Sequence, residues 1–185
     1  MNSLTPKHRP AFPARAKRYN GGGEGGGDML EGRELLLRPP DAGQVRAIMA
    51  ADTGAAAGSA RWRSPSGPRW RRWLGRRVLE VREAEDEPLL FTVRRCWTLL
   101  PRYEVRDADG VRLGFLVGPW VLDEWGLRRA VRRNEGGAAS FESPRGERLA
   151  EVRAEGGGRR VRFGDRLDGE PLVKMTLLAA ELLRP

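Results

Sequence analysis

The chain has 185 residues, enough for one domain with a tail, and a part above about a hundred residues can bury a self-sufficient core. Its net charge of +9 is confined to residues 1–77, which hold 15 of the 34 bases and 6 of the 25 acids; residues 78–185 are neutral. A single cysteine, Cys96, excludes an intrachain disulfide, and a single histidine, His8, leaves the folded part without a Ser-His or Cys-His pair and with too few N/S ligands for zinc.

In chain order, residues 1–30 mix Pro and Arg with the run Gly21–Gly27, a composition that cannot bury enough apolar area to offset ordering entropy. That run lacks the Lys-Ser/Thr of a P-loop and reads as a linker. No apolar h-region opens the chain and no run approaches transmembrane length, so the expected location is cytoplasmic. Glu34 to Leu37 suggests a short strand and Val45 to Ala51 a short helix, after which Asp52 to Gly67 reverts to Ala, Gly, Ser and Pro. Residues 1–60 are therefore expected to form a low-complexity, disordered tail.

Residues 61–77, RWRSPSGPRWRRWLGRR, are an Arg/Trp-rich basic segment. Arg61, Arg63, Arg69, Arg71, Arg72, Arg76 and Arg77 interleave with Trp62, Trp70 and Trp73. Guanidinium groups pair with lipid phosphates and indoles favour the headgroup zone, which makes these ten residues the candidate site for an anionic phospholipid surface. The same groups suit phosphate contacts and base stacking, so nucleic acid is the alternative partner. A third reading is structural: 31 of the 34 bases are Arg, and the tryptophans could simply cover one end of a barrel.

From Val78 the period becomes two. Val78–Arg82 and Leu89–Cys96 alternate, with Cys96 expected as a small core residue. Arg102 to Val117 then reads as a hairpin about Asp107-Ala108-Asp109-Gly110, with Tyr103 and Val105 inward on the first strand and Val111, Leu113, Phe115 and Val117 inward on the second. Trp120 to Arg133 has room for one or two strands, Asn134 to Gly137 reads as a turn, Ala139 to Ala154 forms another hairpin, and Val161 and Phe163 mark a further strand. Strands at this spacing without intervening helices predict an antiparallel meander, open or closed.

The chain ends on a helix, residues 171–183, apolar on almost every side. Proline is allowed in its first turn, where an N–H has no intrahelical partner. Lys174 and Glu181, seven positions apart, fall within roughly 20° of each other and share one narrow charged stripe; the rest requires burial. Thr176 can satisfy its hydroxyl on the carbonyl four residues back. Thirteen residues rise only about 20 Å against roughly 30 Å of hydrocarbon, so the helix is expected inside protein, wrapped by the strands before it.

Catalytic chemistry is not suggested. The scattered carboxylates show no marked pair, and a calcium loop begun at Asp107 would place Arg112 where glycine is required and Gly118 where a bidentate Glu is required. The chain is expected not to be an enzyme.

Four pieces in order, Glu87–Arg95, Tyr103–Gly110 with Gly114, Phe141–Ala150 around Gly146, and Pro171–Met175 opening the apolar helix, resemble the phospholipid scramblase and LURP-one-related group of tubby-like proteins. The resemblance covers roughly Val78 to Leu183. It implies a mainly β fold, an antiparallel barrel over residues 78–185 enclosing the C-terminal helix, and a non-enzymatic protein peripheral on the inner face of a membrane, with lipid scrambling implied by analogy alone. About nine strands are legible where that group has twelve, so either the barrel is shortened or the N-terminal part completes it. Asp165, Asp168 and Glu170 occupy the neighbourhood of the group's calcium segment in a shorter loop, which makes calcium the one cofactor the resemblance implies. A palmitoylated cysteine cluster is absent.

Overall fold

The computed structural model describes residues 29–41, 45–64, 77–84, 88–96, 98 and 100–184. Twelve strands form a closed antiparallel barrel in which each strand pairs with its sequence neighbours and the first closes on the last. They are β1 (Glu34–Leu37), β2 (Val45–Ala50), β3 (Ala56–Arg63), β4 (Val78–Glu83), β5 (Leu89–Arg95) and β6 (Arg102–Asp107), followed by β7 (Arg112–Val117), β8 (Trp120–Asp123), β9 (Arg128–Glu135), β10 (Ala138–Glu142), β11 (Arg148–Glu155) and β12 (Gly158–Phe163). Closure runs from Glu34 opposite Arg162 to Leu37 opposite Arg159. A barrel leaves no edge strand exposed.

A single 3₁₀ turn, Asp165–Leu167, reverses the chain into α1 (Pro171–Leu182). Every residue from Lys174 to Ala179, with Glu181 and Leu182, is buried. Six consecutive buried residues cover the whole circumference of a helix, so α1 lies in the barrel lumen with wall on all sides. Leu177, Leu178 and Ala179 meet one continuous core built from every strand. Thr176 Oγ1 donates to the carbonyls of Val173 at 2.8 Å and Leu172 at 3.3 Å, so its hydroxyl is satisfied without water.

The charged stripe of α1 is buried with the rest, contrary to expectation. Lys174 Nζ donates to the Leu30 carbonyl at 2.7 Å and sits 5.6 Å from the Phe163 ring centroid. Glu181 meets arginines, described below.

The barrel begins well before residue 78. Residues 34–63 supply β1 to β3 rather than a tail, and Val45–Ala50 is a strand rather than a helix because β1 and β3 bond it on both sides. The Ala-Gly-Ser composition that reads as a breaker is a strand built for close approach: a Cβ on Gly58 would collide with the Arg82 carbonyl and reach Met29 Sδ at 2.9 Å. Met29 and Leu30, just ahead of β1, are core residues.

One phase is inverted. A bulge between Val105 and Arg106 shifts the β6–β7 register, placing Tyr103 opposite Leu116 and Val105 opposite Gly114. A one-residue slip turns each side chain to the other face. Beyond the bulge Leu116 therefore packs in the core, and Phe115 turns to the outer face opposite Glu104, where it is buried beneath the Arg102 guanidinium at 3.4 Å; before the bulge Leu113 packs against the core as expected, while Val111, in the turn, is exposed. Gly110 takes φ 79° in the turn, the left-handed conformation this hairpin requires. Cys96 follows β5 and is half-buried rather than a core residue.

Candidate functional site: the basic mouth of the barrel

An up-and-down meander sends alternate connections to opposite ends. The β1–β2, β3–β4, β5–β6, β7–β8, β9–β10 and β11–β12 connections share one end. The helix terminates there too, since Arg46 at the start of β2 and Arg159 at the start of β12 donate to the Arg184 carbonyl at 3.2 and 2.8 Å.

Arginines dominate this mouth. Arg38, Arg61, Arg63, Arg77 and Arg95 are exposed around it; Arg63 pairs with Glu80 at 3.1 Å. Within it, Arg132 Nε meets Glu181 Oε1 at 2.5 Å, Arg159 Nη1 meets Oε2 at 3.5 Å and Arg184 Nε stands 3.9 Å from Oε1. Burial, and then the neighbouring charge of Arg159, lowers the pKa of Arg46 against an opposing pull from Glu181. Burial also lowers that of Arg184, helped by Arg132 and Arg159 and again opposed by Glu181. Four guanidinium groups thus crowd about one fully buried carboxylate. They also suit the negative end of the helix dipole.

Beside this cluster the wall stands off the helix. An open cavity of about 480 Å³ lies between the last turn of α1 and strands β6 to β10. Its lining mixes Arg132, Asn134 and Arg184 with Leu116, Val121 and Phe141, and Phe141 is the direct cross-strand neighbour of Arg132. Trp120, 47 % exposed, stands at its rim, and Leu100, 69 % exposed, projects from the β5–β6 connection. At the opposite end Val111, Trp125, Leu127 and Leu172 are exposed.

The candidate residues read from the sequence are distributed unevenly. Arg61 and Arg63 lie on β3 and Arg77 immediately precedes β4, all exposed at this mouth. Trp62, on β3, packs against the core instead of facing an interface, as an inward phase between two outward arginines requires. Arg69, Arg71, Arg72, Arg76, Trp70 and Trp73 lie outside the described residues, as does His8. Asp165 and Asp168 converge on the chain's own cation: Arg33 Nη1 reaches Asp165 at 2.8 Å and Nη2 reaches Asp168 at 2.6 Å. The Glu170 carbonyl accepts the first helical N–H groups, from Val173 at 3.1 Å and Lys174 at 3.2 Å. Among the described residues no three His, Cys, Asp or Glu side chains gather as a metal site, and no helix is long and apolar enough to cross a membrane.

Arg46, Arg132, Arg159 and Arg184 were not singled out by the sequence. One signal for them exists: Arg46 is in phase with Ile48, Arg132 with Ala130, and Arg159 with Val161, so each strand arginine occupies an inward position. Comparison with protein-family models, curated proteins and solved structures returns no match to this chain.

Proposed function

We propose that this chain is a non-enzymatic barrel protein, related to the scramblase and LURP-one-related tubby-like group, that docks peripherally on anionic phospholipid membrane through its basic mouth. The observation that carries the reading is positional. The exposed Arg61, Arg63 and Arg77 bracket the connection whose sequence holds Arg69, Arg71, Arg72, Arg76, Trp70 and Trp73, and both ends of that connection emerge at the mouth where Arg38 and Arg95 are exposed. Trp120 and Leu100 supply apolar groups suited to the headgroup zone at the same end. The barrel enclosing a central helix, which the family resemblance implies, is consistent with that kinship. The proposal is for binding, with no claim that lipid is moved.

Co-sedimentation with phosphatidylcholine vesicles, with and without phosphatidylserine, tests it. Binding is expected to the anionic vesicles alone and to weaken with salt. At about 1 kcal/mol per basic residue near the surface, replacing Arg69, Arg71, Arg72, Arg76 and Arg77 by Ser abolishes it. Equal binding to both vesicle types overturns the proposal. So does salt-sensitive binding of an oligonucleotide with no vesicle binding, which is the behaviour of a nucleic-acid protein.

A further inference from the structure

We propose that the cavity at the basic mouth binds a single-chain acidic amphiphile, its carboxylate or phosphate-monoester head held by Arg132 and Arg184 and its hydrocarbon laid against Leu116, Val121, Phe141 and Leu183. This goes beyond docking on a bilayer, since the site is internal to the barrel and sized for one small molecule. A volume of about 480 Å³ lies within the ordinary range of small-molecule sites.

The mixed lining carries the argument. Arg132 from β9 and Arg184 just past α1 bring guanidinium groups into a lining otherwise built largely of aliphatic and aromatic side chains, with Phe141 directly across from Arg132 and with Tyr103 and Trp120 as the further polar-tipped members. A ligand that matches both is charged at one end and apolar along the rest. The required charge is negative. Arg132, Arg159 and Arg184 all lean on Glu181, and Arg184 Nε is buried with no hydrogen-bond partner. The Arg184 side chain is nevertheless 34 % exposed and lines the cavity, so the charge that Glu181 approaches only to 3.9 Å can be met from the cavity by an anionic oxygen. Arg132 Nη1 donates to the neutral amide oxygen of Asn134, a weaker acceptor than a carboxylate or phosphate. Burial and mutual repulsion already depress the pKa values of Arg46 and Arg184, and an added anion would relieve that repulsion. The same field repels metal cations, and a free inorganic anion would leave the apolar wall unused. Trp120 at the rim can cover the chain where it leaves the lumen.

Isothermal titration of the full chain, below the micelle concentrations of the ligands, tests this with octanoate, decanoate, octyl phosphate, 1-octanol and inorganic phosphate. Saturable binding at one site is expected for the charged amphiphiles, and whichever of octanoate and octyl phosphate binds tighter identifies the head group. Affinity rises about fourfold per added methylene from octanoate to decanoate. The neutral alcohol binds about tenfold or more weakly, and inorganic phosphate alone does not saturate. Asn134→Asp, an exposed substitution with little effect on folding, sets a carboxylate beside Arg132 and weakens octanoate by about tenfold. Ala180→Leu fills the chain-binding side and flattens the dependence on chain length. Equal affinity for octanoate and 1-octanol, no gain from octanoate to decanoate, an unchanged Asn134→Asp variant, or no heat with any amphiphile would each overturn the proposal. No bilayer is present, so the vesicle comparison stands or fails separately.

Discussion

Glu181 is the residue on which the lumen's charge depends, and Glu181→Gln removes that charge with almost no change of shape. The carboxylate is fully buried, and its partners are 11 %, 21 % and 34 % exposed at Arg132, Arg159 and Arg184. Removing one partner of a buried ion pair costs about 3–5 kcal/mol, because the other is left uncompensated. Arg159 and Arg184 can recover part of their hydration, whereas Arg132 is the most enclosed, so the lower end, about 3 kcal/mol, applies here. For a chain of this length about 3 kcal/mol lowers Tm by about 6–12 °C. Urea and thermal unfolding measure the loss directly. Adding Arg132→Met to Glu181→Leu should restore most of it, since an apolar pair of similar volume needs no desolvation. A Glu181→Gln protein within about 0.5 kcal/mol of wild type would mean that water solvates these arginines, and the account of a low-dielectric, cation-rich mouth would be wrong.

Two further outcomes follow from the wall. Gly114→Ala should cost about 1–3 kcal/mol in urea unfolding, because its Cβ would collide with the Leu122 carbonyl and lie 3.4 Å from Asp123 Cα, forcing β7 and β8 apart; an unchanged midpoint would refute the close approach. At Glu104 burial opposes ionisation, yet hydrogen bonds from Arg106 at 3.1 Å and Arg112 at 2.6 Å, with their charges, outweigh it and hold the carboxyl below its usual range. A folded-state pKa below the unfolded one stabilises above the ordinary carboxylate value and loses that contribution as pH falls through the depressed one. Glu104→Gln should therefore cost about 1.5 kcal/mol at pH 7, the low end for a charged hydrogen bond because both arginines are partly exposed, and the gap should close on acidification below about pH 4. A gap that does not vary with pH would show that the ion pairs are not its source.

Periodicity alone yields the helix at Pro171–Leu182, its enclosure, the β6–β7 and β10–β11 hairpins and the mainly β class, because each is written in neighbours a few residues apart. What local pattern misses is long-range. β3 is built of Ala, Gly and Ser because Arg82 and Met29 press against it, and a sequence reading takes those small residues for a break. The bulge at Val105 inverts the faces of β7 from Gly114 onward, and only the pairing with β6 reveals it. Glu181 and Lys174 read as a solvated stripe until the wall supplies Arg132, Arg159 and the Leu30 carbonyl. The candidate cavity is far from the sequence too, since its arginines, Arg132 on β9 and Arg184 just past α1, meet only when the helix enters the barrel lumen. Hydrophobic rhythm is a property of short segments, but which charges share a low-dielectric space is decided by closure of the barrel, the step at which residues more than a hundred positions apart become neighbours.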